Sequence, residues 1–186
     1  AGFVVPNFAK VDSDGIRGLT HRRLEDEAGL ARGSARYHLG TNDQIITATL
    51  EHAALRDLQM SEAALARLGL DALAGSKASI PKMAAVMVST LLENPGAIRA
   101  RYELLLEATR RPSLKAEAQR WRAHFVDTTE LGLTAAGLDD PHTAALLLVA
   151  ILDGLTLDAV ITDRTTAPEL AERGAAAILH ASTVTS

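Results

Sequence analysis

The feature that most constrains this chain is its punctuation: glycine or proline recurs at short intervals, and the stretches between them carry apolar residues at helical spacing. A helix is expected from Thr20 through Ala28, with Thr20 as N-cap and Gly29 as its stop. A second short helix is expected from about Arg32 to Leu39, closed by Gly40. Thr41 then caps a long helix from Asn42 to about Leu68, with Ile45, Ile46, Leu50, Ala54, Leu58 and Leu65 on one stripe. Residues 69–79 read as a loop. Helices follow over about 81–93, 97–110, 113–136, 142–162 and 168–181, with Asn94-Pro95-Gly96 and Pro112 read as breaks. An opening segment with Val4, Val5, Phe8 and Val11 adds one short amphipathic face, confined by Pro6 to the residues after it. The expectation is an all-α chain of about nine helices with no strand.

Composition agrees. Alanine and leucine abound while aromatics make up only 3%, and such a core favours packed helices over a sheet. The absence of cysteine excludes disulfides, thiolate metal sites and cysteine nucleophiles, and fits a reducing compartment. No secretory signal is read, and no apolar run is expected to reach membrane-spanning length. The longest, Ala144 to Leu157, is interrupted by Asp153 and Gly154. A soluble cytoplasmic protein with no membrane partner is therefore expected.

The six histidines are scattered, with no pair at i, i+4, and Asp139-Asp140 reads as a helix cap rather than a metal site. There is no glycine-rich phosphate loop and no nucleophile elbow. No metal, cofactor or catalytic residue is assigned, and the chain is not expected to be an enzyme. An all-helical enzyme using Glu103 or Asp153 is the alternative from another class, and it would need one of those carboxylates perturbed in a cleft.

Two short helices separated by a glycine-containing turn, followed by a long helix, is the plan of a DNA-binding helix-turn-helix. The first helix crosses the backbone, and the second presents small and polar residues to base edges while flanking donors hold phosphates. Here Leu19, Leu24, Ala28 and Leu30 are expected to pack inward. Thr20 and His21 are placed to meet the phosphate backbone. Arg32, Gly33, Ser34 and Arg36 are placed to approach bases, with Tyr37 and His38 as phosphate donors. The net charge of −4 argues against a surface that binds nucleic acid everywhere, but not against a small basic head. From Ile16 to Asn42 the arginines are Arg17, Arg22, Arg23, Arg32 and Arg36, against the acids Glu25, Asp26 and Glu27.

At these residues the sequence resembles the TetR family of transcriptional regulators. Gly15–Leu24, Ala28–Ser34 and Tyr37–Ile45 follow that family's N-terminal pattern without a gap, within a match that runs from Asp14 to Leu50. Three residues depart from it: Glu25 stands where the family has a small alanine, Leu39 where it has phenylalanine, and Asn42 where it has a lysine. The resemblance implies a helix-turn-helix DNA-binding domain over residues 1–52 and a ligand-binding and dimerisation domain over 53–186. It also implies a repressor that binds an inverted-repeat operator on double-stranded DNA and is released by a small-molecule effector. A TetR-like dimer that has lost DNA binding and only takes a ligand or protein partner is the alternative.

A helix-turn-helix reader works as a dimer on half-sites about 34–36 Å apart or multiples of that. The last two helices are expected to form the homodimer. Leu146, Val149, Leu152, Leu155 and Val160 leave the first of them little polar surface, and Ala171, Gly174, Ala175, Ile178 and Ala181 give the second a narrow face for close approach. For the ligand, the scarce residues are informative. Tyr102, Trp121 and Phe125 lie in the middle helices with Met83, Met87 and Leu91, and Arg101, Glu103, Glu107, His124 and Asp153 supply polar groups. Met87, Arg101, Tyr102, Trp121, Phe125 and Asp153 are taken as the ligand-binding set. Core filling is the other use open to the aromatics, and a solvated pair the other use open to Arg101 with Glu107.

Overall fold

Prolines open helices in this chain. The computed structural model describes Val11 and residues 15–67, 69 and 76–184, and among these are eight α-helices and no strand. They are α1 (His21–Ala28), α2 (Ser34–Leu39), α3 (Asn42–Arg67), α4 (Ile80–Leu92), α5 (Pro95–Arg110), α6 (Pro112–Ala135), α7 (Pro141–Thr162) and α8 (Ala167–Val184). Short 3₁₀ turns at Ile16–Gly18 and Lys77–Ser79 lead into α1 and α4. Pro95 and Pro112, read from the sequence as breaks, are instead the first residues of α5 and α6. Proline lacks only the N–H that the first turn leaves unpaired, and its fixed φ already suits a helix. Asp140 accepts the Thr143 N–H at 3.1 Å ahead of Pro141, so it caps α7 as expected. The opening helix falls outside the described residues apart from Val11, which is buried.

The described residues fall into two compact units. The first takes the chain as far as Arg56 together with Gly96–Trp121, and the second takes Asp57–Pro95 together with Arg122 onward. Helices α3 and α6 each contribute to both. In the first unit Leu19, Ile45, Ile46 and Leu50 from the front of the chain are sealed from water, as are Leu104 of α5 and Leu114 of α6.

In the second unit α4 packs on α7 and α8. Its core is rich in small residues: Ala84, Ala144, Ala145, Ala159, Ala167, Ala171 and Ala175 are buried beside Val88, Val126, Leu133 and Leu148. Alanine contributes little area per residue, so this core gains by letting helix backbones come close. At Gly174 a Cβ would stand 3.1 Å from Ile151 Cγ2 on α7. The small-residue face of α8 therefore packs against α7 inside the subunit. Ala171 and Ala175 are buried, and Ile178 packs against the same core.

On α7, Val149 turns inward, whereas Leu146, Leu147 and Ile161 are exposed. The helix spans the residues expected, but the expectation that no apolar run reaches membrane-spanning length is corrected. Asp153 and Gly154 do not interrupt it, and its 22 residues are long and apolar enough to cross a membrane by composition alone, though only a third of its most apolar window is buried. Asp153 is accommodated by an ion pair with Arg122 of α6.

Because Ala171 is sealed between helices of one subunit, enlarging it acts on folding. Ala171→Leu should lower the urea midpoint by an amount equivalent to about 1–3 kcal/mol, the range for overpacking a filled core. An unchanged midpoint with weakened self-association would return that face to the dimer.

Candidate functional site

The front of the first unit is a helix-turn-helix in which α1 holds α2 at both ends. Thr20 is extended and its hydroxyl accepts the Arg23 N–H at 3.4 Å, starting α1 as the sequence suggested. Gly29 ends it, with its N–H on the Glu25 carbonyl. Leu30, expected inward, is 42% exposed just past that stop.

Helix α2 begins at Ser34 and not at Arg32, because Gly33 has φ 91°, a conformation no helix contains. Gly33 offers no side chain to cap the helix. The cap comes from Glu25, one helix away: its Oε1 accepts the N–H of Gly33 at 2.9 Å and of Ala35 at 3.0 Å. The Ser34 N–H goes to the Ala31 carbonyl at 3.1 Å. The Gly33, Ser34 and Ala35 amides at the start of α2 are thus paired, and the carboxylate lies at the helix end that favours negative charge. Glu25 is 4% exposed. Burial of a glutamate is tolerable only with such partners.

At the other end Gly40 (φ 70°, ψ −128°) turns the chain into α3. His21 Nε2 donates to the Gly40 carbonyl at 2.6 Å. Thr41 and Gln44 then form a reciprocal capping box, Thr41 N–H to Gln44 Oε1 at 2.7 Å and Gln44 N–H to Thr41 Oγ1 at 3.2 Å.

Between these anchors α2 presents its outer face. Tyr37 is 85% exposed, its ring edge-on to that of exposed His38 with centroids 4.8 Å apart. Arg36 is exposed and Ser34 half-buried. Arg36 also lines a surface cleft with His21, Gly40, Thr41 and Asn42. Arg32 lies in the turn before α2, where its guanidinium is 2.7 Å from Asp26 and 3.9 Å from Glu25 and donates to the Arg22 carbonyl at 3.3 Å.

The start of α3 is tied to the corner between α5 and α6 within the same unit. Asp43 accepts from Arg111 Nη1 at 2.8 Å and from the Ser113 hydroxyl at 2.7 Å, while Arg111 Nε reaches Glu107 at 2.6 Å. The Ser113 hydroxyl and the Arg111 guanidinium hold the Asp43 carboxyl below its usual range, and Arg111 does the same for Glu107. Glu103 of α5 accepts the Ile16 N–H at 3.2 Å. Glu103, Glu107 and Arg111, together with Arg17, Thr20, Asn42 and Leu106, border a cavity of about 650 Å³.

The residues expected to meet a ligand divide between the units. Arg101, Tyr102 and Trp121 belong to the first, and Met87, Phe125 and Asp153 to the second. Arg101 is buried, its guanidinium 5.0 Å from the Tyr102 ring centroid and its Nη2 donating to the Tyr102 hydroxyl at 3.3 Å. Trp121 is buried, Met87 and Phe125 are half-buried, and Asp153 is the partner of Arg122. Among the described residues no group of three or more histidine, aspartate or glutamate side chains could hold a metal ion.

Residues 76–183, more than half of the chain, match the family model of the tetracyclin repressor-like C-terminal domain. The chain belongs to the TetR family. Solved structures agree over nearly its whole length. The multidrug binding protein EbrR in complex with imidazole is 29% identical, covers 92% of this chain and 85% of its own, and superposes with a TM-score of 0.66. A TetR-family member from Streptomyces coelicolor A3 is 28% identical over 92% of each chain, with a TM-score of 0.69. A transcriptional regulator from Rhodococcus sp. Rha1 shares the fold at 20% identity, with 93% of this chain and 89% of its own covered and a TM-score of 0.71. EbrR has also been solved with ethidium, malachite green and proflavin. Among curated protein sequences nothing matches.

In this TetR head the residue that sequence reasoning missed is Glu25. From sequence it stands only as a departure from a small packing residue; in the fold it is the cap of α2. The one signal available was a helix start without Ser, Thr, Asp or Asn at its N-cap, which obliges some other acceptor to approach. The Asp43–Arg111–Ser113 cluster was missed as well, since its members lie about seventy positions apart.

Glu25→Ala should strand the Gly33 and Ala35 amides, lowering stability by about 1–3 kcal/mol and speeding hydrogen exchange at those two amides above that at Ile45. Equal protection in both chains would remove Glu25 as the cap. For Asp43 the folded carboxyl titrates below its unfolded value. Its contribution is therefore complete above the ordinary aspartate range and is lost as pH falls through the lower, folded value. Asp43→Asn should flatten that acid limb of the stability profile, measured by thermal unfolding between neutral and acid pH.

Proposed function

We propose that this TetR-family chain is a repressor that binds an inverted-repeat operator as a homodimer and is released by a small molecule. The observation that carries the reading is the head itself: α2 is fixed at its start by Glu25 and at its end by His21, while Arg36, Tyr37 and His38 stand in solvent. An anchored short helix with an exposed polar face is what direct readout of a major groove requires. Thr20 and His21 at the start of α1 and Arg32, Gly33 and Ser34 at the turn complete the DNA-facing set. Residues 1–52 form the DNA-binding part in this reading, and 53–186 the part that binds effector and dimerises. Of the two departures that favour a head without DNA affinity, Glu25 and Asn42, the first serves as the cap of α2.

Dimerisation rests on α7 with its neighbour α8. Leu146, Leu147 and Ile161 leave one subunit with an apolar surface that a second copy covers in a soluble, cytoplasmic protein. Effector contact is assigned to Met87, Phe125 and Asp153 of the second unit and to Arg101, Tyr102 and Trp121 of the first. The ligands of EbrR support an aromatic effector, since ethidium, malachite green and proflavin all carry aromatic rings. An effector that binds one spacing of the two heads better than another shifts the dimer away from DNA by that difference in affinity.

The test is selection of bound duplexes from random DNA by the purified protein at two salt concentrations. One enriched inverted repeat, with affinity falling steeply as salt rises, is the expected result. On that repeat, Arg36→Ala should cost about 1–3 kcal/mol and relax preference at one base position per half-site. No enrichment and no salt dependence would leave the chain as a ligand-binding helical dimer.

A further inference from the structure

We propose that Asp26 withholds Arg32 from DNA phosphates, so that the pair limits indiscriminate attachment of the head to duplex DNA. The proposal rests on the DNA-binding reading above. The arginines of the head are not equivalent. Among the described residues the side chains of Arg22 and Arg36 make no ion pair. Arg32 is held from three sides, by Asp26 at 2.7 Å, by the Arg22 carbonyl at 3.3 Å and by Glu25 at 3.9 Å.

The two acids differ in what else they do. Glu25 is buried and committed to the Gly33 and Ala35 amides. Asp26 is exposed and has Arg32 as its partner. A guanidinium binds carboxylate and phosphate with the same planar fork, so a DNA phosphate and Asp26 compete for one group. Both members of the pair are more than half exposed. Exposed pairs of this kind are weak enough to exchange, and are worth a few-fold in an equilibrium. Arg32 is thereby removed from the count of cations that meet any phosphate, without being buried or lost to the fold.

The experiment measures affinity for a random-sequence duplex across a salt series for the full chain and its variants. Asp26→Asn should raise affinity about two- to fivefold and steepen the slope of log affinity against log salt by about 1. Removing any acid from the head favours a polyanion, so Glu27→Gln supplies the background. It sits on the same helix, is exposed, and makes no ion pair among the described residues. The gain from Asp26→Asn should exceed that of Glu27→Gln, and in an Arg32→Gln chain the excess should vanish. An Asp26→Asn effect no larger than that of Glu27→Gln, or an excess that survives without Arg32, overturns the proposal while wild-type binding leaves the DNA reading standing. Absence of salt-dependent binding to any duplex by the wild-type chain overturns both.

Discussion

Two amide hydrogens, those of Gly33 and Ala35, meet one oxygen of Glu25, and the position of the second helix follows from that contact. A helix of six residues is too short to persist alone, because nucleation costs more than a few backbone bonds return. This one also starts at a glycine that cannot cap it. Its stability must come from tertiary contacts, and α1 provides them at both ends through Glu25 and His21. The same arrangement constrains how DNA can be held. Free amides at a helix start are a ready anion site, and here the carboxylate has already taken them. In the proposed reading, phosphate contact is therefore left to side chains such as those of Thr20 and Tyr37.

The second unit solves a different problem with the same economy of residue types. Half of its buried core residues are alanine, so area burial per residue is small and close approach of backbones must compensate. That explains why α8 spends its small residues against α4 and α7, and why Gly174 meets Ile151 so tightly. With the small faces turned inward, the large apolar side chains of α7 that are not needed there end up outside. Leu146, Leu147 and Ile161 are the surplus of a core built for close packing.

Helix positions were legible in the sequence because their signals are local. Thr20, Thr41 and Asp140 cap the residues that immediately follow them, and Gly29 and Gly40 end the helices before them. Proline was legible only in part, since the same missing N–H disrupts a helix interior and suits a first turn, and Pro95 and Pro112 take the second role. What stayed hidden was every contact whose two ends are distant in sequence. The pairing of Asp43 with Arg111 has no periodicity to betray it. Nor does any pattern separate a stripe of small residues that packs within a subunit from one that packs between subunits, because both require the same shape. The proposed DNA-facing set stands out as residue types at the right spacing, yet its geometry depends on Glu25, whose role needed the fold.

Charge shows the same divide. Counting arginines over the head gives an excess of positive charge, but a count is not a field. Arg32 faces Asp26, and Arg111 faces Asp43 and Glu107, so two guanidiniums of the first unit are matched locally. Potential at a short distance is governed by the groups that lack a partner, because a paired charge falls off as a dipole and salt screens the remainder. The basic character of this head therefore resides in fewer side chains than its composition suggests, with Arg36 on the outward face of α2 the chief among those the structure leaves open. An acidic chain can carry a DNA-reading surface on those terms: selectivity then comes from where the few unmatched cations stand rather than from how many there are.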